Sequence, residues 1–309
     1  MGISTWVRGA RPKTLPLAIA PVVIGAVLAW RDAGGYRAVV AVLCACVALF
    51  LQIAANFAND YSDGIRGTDD GRGIPSGGPS DSAAAGEATP SRGPARLVAS
   101  GVNPRKVLAA AGVNALIACL CGLAVIVLTG YWWFILVGIA CLVAGWCYVG
   151  GKHPYGYHYL GEVFVFIFFG LVATCGTMFA LTGAISLDGV LGGTDVGLTA
   201  VSVLCVNNLR DVESDREHGK HTWMTALGRR NGTVFVIALL AAAALLAAAY
   251  VLRRSLFAIP VMVILALTCA VCAAAGVAIA RKNYGKALPL CTLASLALAM
   301  VYMVSSILV

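Results

Sequence analysis

Two short acidic segments stand out in an otherwise apolar chain. The first is Asn56-Phe-Ala-Asn59-Asp60-Tyr-Ser-Asp63-Gly-Ile-Arg66, and the second is Asn207-Asn208-Leu-Arg210-Asp211-Val-Glu213-Ser-Asp215. On a helix, Asn56, Asn59, Asp60 and Asp63 fall at i, i+3, i+4 and i+7 and share one face. Asn207, Asp211 and Asp215 follow at i, i+4 and i+8, again one stripe. Carboxylates one turn apart repel each other unless a cation sits between them. Two such stripes facing each other make an oxygen-rich cleft suited to Mg²⁺, which takes one or two carboxylates and fills its octahedron with phosphate oxygens and water. A lone Asp-x-x-x-Asp is more often a solvated helix end. Two amide-led clusters far apart in sequence, at the same membrane surface, favour a metal–diphosphate site. Arg66, Arg210 and Lys220 stand beside them, ready to neutralise diphosphate oxygens or simply to mark the membrane topology.

The elements that position these segments are set by composition. The 309 residues are 60% hydrophobic and only 12% charged, about half the charge of a soluble domain. Apolar windows long enough to cross ~30 Å of hydrocarbon recur nine times. They lie near 14–30, 38–58, 106–129, 131–149, 160–182, 190–207, 232–252, 256–280 and 287–309. The chain is therefore expected to be an all-α polytopic membrane protein, a single domain over 1–309. The sixth window is the weakest, opening with Gly-rich sequence and Asp195 and ending in Asn207 and Asn208. With the N-terminus inside, 18 of the 22 Lys and Arg lie on the inner side, leaving Arg31, Arg37, Arg253 and Arg254 outside. This positive-inside bias accounts for the net charge of +8 without nucleic acid. It predicts a cell-membrane protein with an inner N-terminus and an outer C-terminus. Eleven of the fourteen Asp and Glu also fall inside, all but Asp32, Asp188 and Asp195, so both acidic segments sit on one face.

Other features are quieter. Residues 71–95 are mainly Gly, Pro, Ser and Ala, and read as a flexible insertion without chemistry of its own. The eleven cysteines all lie in apolar runs and behave as small hydrophobes. His218-x-x-His221 has the spacing of a zinc half-site, but no second ligand pair accompanies it.

The two acidic segments resemble the Asp-rich motifs of the UbiA-type intramembrane prenyltransferases, through Asn59-Asp60-x-x-Asp63 and Asp211-x-x-x-Asp215. Four stretches resemble the MenA branch, the 1,4-dihydroxy-2-naphthoate polyprenyltransferases. They are Ala10-Arg11-Pro12-Lys13-Thr14-Leu15-Pro16, Asn59-Asp60-Tyr61-Ser62-Asp63-Gly64, Gly150-Gly151-Lys152-His153-Pro154-Tyr155-Gly156-Tyr157 and Asn207-Asn208-Leu209-Arg210-Asp211. The chain departs from the general pattern four residues after Asp63, where Gly67 replaces a carboxylate and Asp69 and Asp70 follow.

The resemblance implies Mg²⁺-dependent transfer of a polyprenyl chain from its diphosphate to 1,4-dihydroxy-2-naphthoate, within the lipid bilayer, with the active site on the inner side. It implies Asp60, Asp63, Asp211 and Asp215 as metal ligands, with Asn56, Asn59 and Asn207 beside them. Tyr148 and Lys152 match a family Tyr-x-x-x-Lys pair over the diphosphate, and Arg11 matches a position near the aromatic acceptor. A snorkelling anchor explains Arg11 equally well. Tyr148, Phe164 and Phe168 are candidates for an aromatic lining that stabilises an allylic cation, although Phe164 and Phe168 also suit simple packing. Glu162, an ionisable residue at the membrane edge, is a candidate for orienting the acceptor. Two alternatives compete. One is the same fold with another acceptor, such as 4-hydroxybenzoate. The other is an ion-coupled transporter, which the gathering of carboxylates at one surface argues against.

Overall fold

The computed structural model describes residues 2–34, 37–66, 96–151, 154–254 and 257–308. The 71–95 insertion, Lys152 and His153 lie outside the described residues. A short amphipathic helix, α1 (Ile3–Ala10), leads into a 3-10 turn at Pro12–Thr14. Then come α2 (Pro16–Ala33), α3 (Ala38–Ile65), α4 (Pro104–Thr129) and α5 (Phe134–Val149). The fifth crossing is continuous but changes winding, from α6 (Gly161–Val165) through a π-helical stretch at Phe166–Val172 into α7 (Ala173–Thr182). It is followed by α8 (Leu187–Arg210), the short α9 (Val212–Glu217), α10 (Trp223–Arg253), α11 (Ile259–Ala280) and α12 (Tyr284–Ile307). Among the described residues eight spans are long and apolar enough to cross a membrane, and the 16-residue α5 is a ninth apolar helix. Each overlaps one of the nine expected windows. The chain is a multi-pass membrane protein.

Local sequence sets the helix ends. Asn103 accepts from the Arg105 N–H ahead of Pro104, and Thr222 and Thr225 cap α10 reciprocally. Gly130 takes φ 78° to close α4 and turn tightly into α5. Leu116, Leu120 and Val127 of α4, and Leu136, Ile139 and Val143 of α5, are exposed and face lipid. In contrast α8 is the most enclosed span, packed by α2, α10, α12 and the π-helical stretch. Its glycines permit this. A Cβ on Gly170 would stand 2.5 Å from the Gly193 carbonyl oxygen and 2.7 Å from the Gly197 Cα, so the two backbones touch there. That enclosure explains why a window diluted by Gly and Asp is nevertheless a full span. Asp195 is buried within it, accepting from the Tyr302 hydroxyl at 3.3 Å.

The charges sort to two ends. Arg31, Arg253 and Arg254 converge on Asp188, whose side chain is only 1% exposed, with Arg31 at 2.8 Å. Arg31 also holds Asp32 and the Tyr250 hydroxyl. Arg37 donates to the Leu128 carbonyl at the same end. These are the four cations that charge counting set apart. Both acidic segments lie at the opposite helix ends.

Candidate active site

The first acidic segment forms the last turns of α3, and there its stripe divides in two. Gln52, Asn56 and Asp60, spaced by four, face the N-terminal segment. The Asn56 amide donates to the Ala10 carbonyl at 2.9 Å, so this residue ties down α1. Asp60 is 2% exposed and fully engaged. Its Oδ1 binds Arg11 at 2.6 Å and lies 3.5 Å from Arg96, and its Oδ2 accepts from the Leu97 N–H at 3.1 Å. Asp60 is thus held against the N-terminal segment and residues 96–97, while Asp63 lies on the other row. Arg11 reaches Asp60 from a left-handed backbone (φ 52°, ψ 67°) that ends α1. The other row runs from Asn59 to Asp63, one turn apart, and looks toward the second acidic segment. The Asn59 side chain makes no hydrogen bond among the described residues, while Asp63 accepts from the Tyr157 hydroxyl at 2.8 Å.

The second segment breaks its helix where continuous winding was expected. α8 stops at Arg210, Asp211 adopts φ −98° and ψ 10°, and α9 restarts at Val212. The spacing survives the bend, because the Asp211 N–H bonds Asn207 O and the Asp215 N–H bonds Asp211 O. Arg210 grips Asp211 with two hydrogen bonds of 2.8 Å. Lys220 lies 3.4 Å from Asp215. Asn207 turns back onto the Val203 carbonyl of its own helix.

Tyr157 joins the two segments. Its hydroxyl is on Asp63, and its ring lies between the Arg66 guanidinium at 5.3 Å and the Lys220 ammonium at 5.7 Å. Its backbone is fixed by a pairing of two loops. The His221 N–H donates to the Tyr157 carbonyl and the Tyr159 N–H to the His221 carbonyl, each at 3.0 Å. Tyr159 stacks on the His221 ring and accepts the Trp223 indole N–H at its carbonyl. Tyr157 was not singled out from the sequence, although it closes the Gly150–Tyr157 motif. Arg66 also donates to the Gly151 carbonyl at 2.6 Å. It lines a cavity of about 190 Å³ between Tyr61 and Ile65 on the far flank of α3 and Trp146 and Val149 on α5.

An aromatic row backs this junction. Tyr148 packs on Tyr155 (5.6 Å between centroids), Tyr155 on Phe164 (4.2 Å) and Phe164 on Phe168 (5.9 Å). Phe164 and Phe168 are thus part of one continuous surface with Tyr148. Burial pushes the Tyr155 hydroxyl well above the usual tyrosine range, and it stays protonated as a donor to the Ala144 carbonyl. Glu162, Asp63 and Asp215, carboxylates from both sides of the junction, act electrostatically on the Tyr148 phenol. Glu162 is 2% exposed, and its Oε1 accepts from Asn208 Nδ2 at 3.2 Å and from the Trp223 N–H at 3.3 Å. The amide facing Glu162 is therefore Asn208, which sequence spacing had not selected.

Among the described residues no three His, Cys, Asp or Glu side chains close on a common point. A ready-made cage of protein oxygens is thus not built. What the site offers is Asp63 on one side and Asp211 and Asp215 on the other, each screened by a hydroxyl or a cation. This donor set fits Mg²⁺, which binds through one or two carboxylates and takes its remaining ligands from phosphate and water.

The sequence matches the model of the UbiA prenyltransferase family over residues 18–296. A 1,4-dihydroxy-2-naphthoate octaprenyltransferase of Mycobacterium leprae is 41% identical over 244 residues, covering 78% of this chain and 75% of the relative. The protein of that name from Escherichia coli is 35% identical over 233 residues, covering 73% and 69%. Among solved structures, the apo form of a UbiA homologue from Aeropyrum pernix aligns with a TM-score of 0.68 at 19% identity, over 96% of this chain and 98% of that one. A UbiA homologue from Archaeoglobus fulgidus bound to DMAPP and Mg²⁺ aligns at 0.58 and 15% identity, over 96% and 99%.

Proposed function

The chain belongs to the UbiA prenyltransferase family, and from that premise we propose that it transfers a polyprenyl group from its diphosphate to 1,4-dihydroxy-2-naphthoate, a step of menaquinone synthesis. The observation that carries the reading is the junction at Tyr157, where Asp63 and the Lys220–Asp215 pair meet on one side chain. The identity to relatives bearing that activity in their name supports the acceptor. The site faces the inner side of the membrane, with the N-terminus inside, in keeping with the positive-inside bias.

Asp63, Asp211 and Asp215 would hold Mg²⁺, with Asn59 on the same α3 face as Asp63. Bound there, Mg²⁺ neutralises the charge that builds on the departing diphosphate. Lys220 and Arg210, which cover the aspartates in this structure, turn to the diphosphate oxygens. Lys152 completes this set by its place in the Gly150–Tyr157 motif. Breaking the carbon–oxygen bond leaves an allylic cation. The faces of Tyr148, Tyr155, Phe164 and Phe168 attract that cation and exclude the water that would quench it. Glu162, held by Asn208 and Trp223, orients the acceptor near Tyr148. The ring carbon bearing the carboxylate attacks the cation, forming the new carbon–carbon bond. Carbon dioxide and a proton leave, giving demethylmenaquinol.

Membranes containing the protein, supplied with Mg²⁺, a polyprenyl diphosphate and 1,4-dihydroxy-2-naphthoate, are expected to form prenylated product and carbon dioxide in equal amounts. Prenylation of 4-hydroxybenzoate in preference to the naphthoate would overturn the acceptor and keep the family chemistry.

A further inference from the structure

The cavity between α3 and α5 plays no part in the prenyl-transfer reading, and its lining is of two kinds. One part is apolar. Trp146 on α5 is 49% exposed, and a Cβ on Gly150 would stand 2.9 Å from its ring Cε2, so the glycine lets the indole lie across the start of the next loop. Ile65, 54% exposed, forms the opposite lip on α3. Deeper in, the buried Ser62 donates to the Val149 carbonyl at 2.6 Å and ties the ends of α3 and α5 together.

The polar part is Arg66 and Tyr61. Arg66 donates to the Gly151 carbonyl and sets its guanidinium over the Tyr157 ring. A guanidinium carries five N–H donors, and among the described residues Arg66 meets no carboxylate. The Tyr61 hydroxyl makes no hydrogen bond among the described residues. A cation with donors to spare and a phenol, in an otherwise apolar hollow, suit one anionic oxygen group.

Size and surroundings say what carries that anion. The cavity holds about 190 Å³, below the roughly 300–1,000 Å³ of pockets that enclose a free small molecule. It therefore fits the head of a longer molecule. Ile139, Leu142, Val143 and Trp146 of α5 are all exposed, at helical spacings of three and four, and form an apolar track along the span to the cavity. An acyl chain lies naturally on such a track. At its end stand an indole and a guanidinium, the two groups that meet lipid headgroups at a membrane interface.

We propose that this cavity is a headgroup site for an anionic glycerophospholipid of the leaflet on the side of the acidic segments, its phosphate on Arg66 and Tyr61 and one acyl chain along α5. Free phosphate offers Arg66 the same oxygens but has nothing to lay along the track.

Quenching of Trp146 by lipids with brominated acyl chains tests this in vesicles containing the purified full-length protein. The chain has six tryptophans, so the Trp146 signal is the difference between each protein and its Trp146→Phe counterpart. The brominated lipid is phosphatidylglycerol or phosphatidylcholine, diluted in unbrominated phosphatidylcholine. Wild type is expected to favour phosphatidylglycerol at Trp146 by roughly tenfold, the worth of one charge-assisted hydrogen bond. Arg66→Gln, which can still donate to the Gly151 carbonyl, should bring that preference to within about twofold of unity. Ile65→Glu sets a carboxylate at the exposed lip and must do the same, which covers the case in which Arg66→Gln does not fold. Millimolar inorganic phosphate at constant ionic strength should leave the wild-type preference unchanged. Equal quenching by the two lipids in the wild type would overturn the proposal, as would a preference that survives either substitution at full strength. Loss of the preference to inorganic phosphate would reassign the cavity to a free anion and overturn the lipid.

Discussion

Replacing Gly156 with alanine adds one methyl group at the place where the loop after α5 lies on Tyr148. A Cβ built on Gly156 stands 2.5 Å from the Tyr148 carbonyl oxygen and 2.9 Å from its ring Cε2. Ordinary contact begins near 3.4 Å, so the overlap with the carbonyl is about 0.9 Å. Something has to move. The carbonyl belongs to the last turn of α5, and the ring is bounded by Gly161 at 3.3 Å from its own added Cβ and by Tyr155. Overpacking of this kind costs roughly 1–3 kcal/mol. If the loop yields, Tyr157 is drawn off Asp63; if the ring yields, the Tyr148 hydroxyl moves by close to 1 Å. A shift of about 1 Å in a positioned group can cost on the order of 100-fold in rate. Gly156→Ala is thus expected to lower kcat by ~10- to 100-fold, with a measurable fall in thermal stability in detergent. Gly145→Ala is the control. It lies on α5 one turn before Tyr148, has no neighbour within 4 Å of an added Cβ, and should behave as wild type. Wild-type kcat in Gly156→Ala would refute the claim that the Tyr148–Gly156–Tyr157 contact sets the site.

Tyr157→Phe removes only the hydroxyl on Asp63 and keeps the ring between Arg66 and Lys220. A hydrogen bond to a charged group contributes about 1.5–3 kcal/mol, so the Mg²⁺ concentration for half-maximal rate should rise by roughly tenfold or more. An unchanged Mg²⁺ titration would argue against Tyr157 orienting Asp63. Glu162→Gln keeps an acceptor for Asn208 and Trp223 and should fold normally while losing turnover. Glu162→Ala strands both donors and should also lose about 1–3 kcal/mol of stability. Equal melting of the two variants would contradict the hydrogen-bond assignment. Asp188→Ala leaves Arg31, itself 9% exposed, without its buried partner. Breaking such a pair costs about 3–5 kcal/mol, and the lower end is expected because Arg253 and Arg254 reach solvent. Melting in detergent measures this, and a change below ~1 kcal/mol would show that the cluster is not structural.

The membrane architecture was readable from the sequence because each crossing needs an apolar run of fixed length, and nine such runs are present. Even α8, diluted by Gly192, Gly193 and Asp195, declared itself. Its glycines are what let it sit inside the protein against Gly170. The amphipathic α1 escaped notice, since eight residues are too few for a membrane window. The residues of the site were readable as types and spacings, but their directions were not. Asp60 and Asp63 lie three residues apart on one helix, yet one meets arginines from the chain termini of two other segments and the other meets Tyr157. Helical periodicity places both on a common face and says nothing about what packs on each side of it. Tyr157 depends on backbone pairing between residues 157–159 and His221, a contact across some sixty residues that no local pattern encodes. The outer arginines were legible as topology signals, whereas their common partner Asp188 emerged only from the packing of α2, α8 and α10.

The central claim is that carboxylates from the two acidic segments act together on a metal-bound diphosphate. Equilibrium binding of a non-reactive prenyl thiolodiphosphate to wild type, Asp63→Asn and Asp211→Asn, with Mg²⁺ and then with EDTA, tests it most directly. The account predicts binding that requires Mg²⁺ in the wild type and is lost in both variants, each with a normal melting profile. Binding that survives EDTA, or that survives either substitution at full strength, would contradict it.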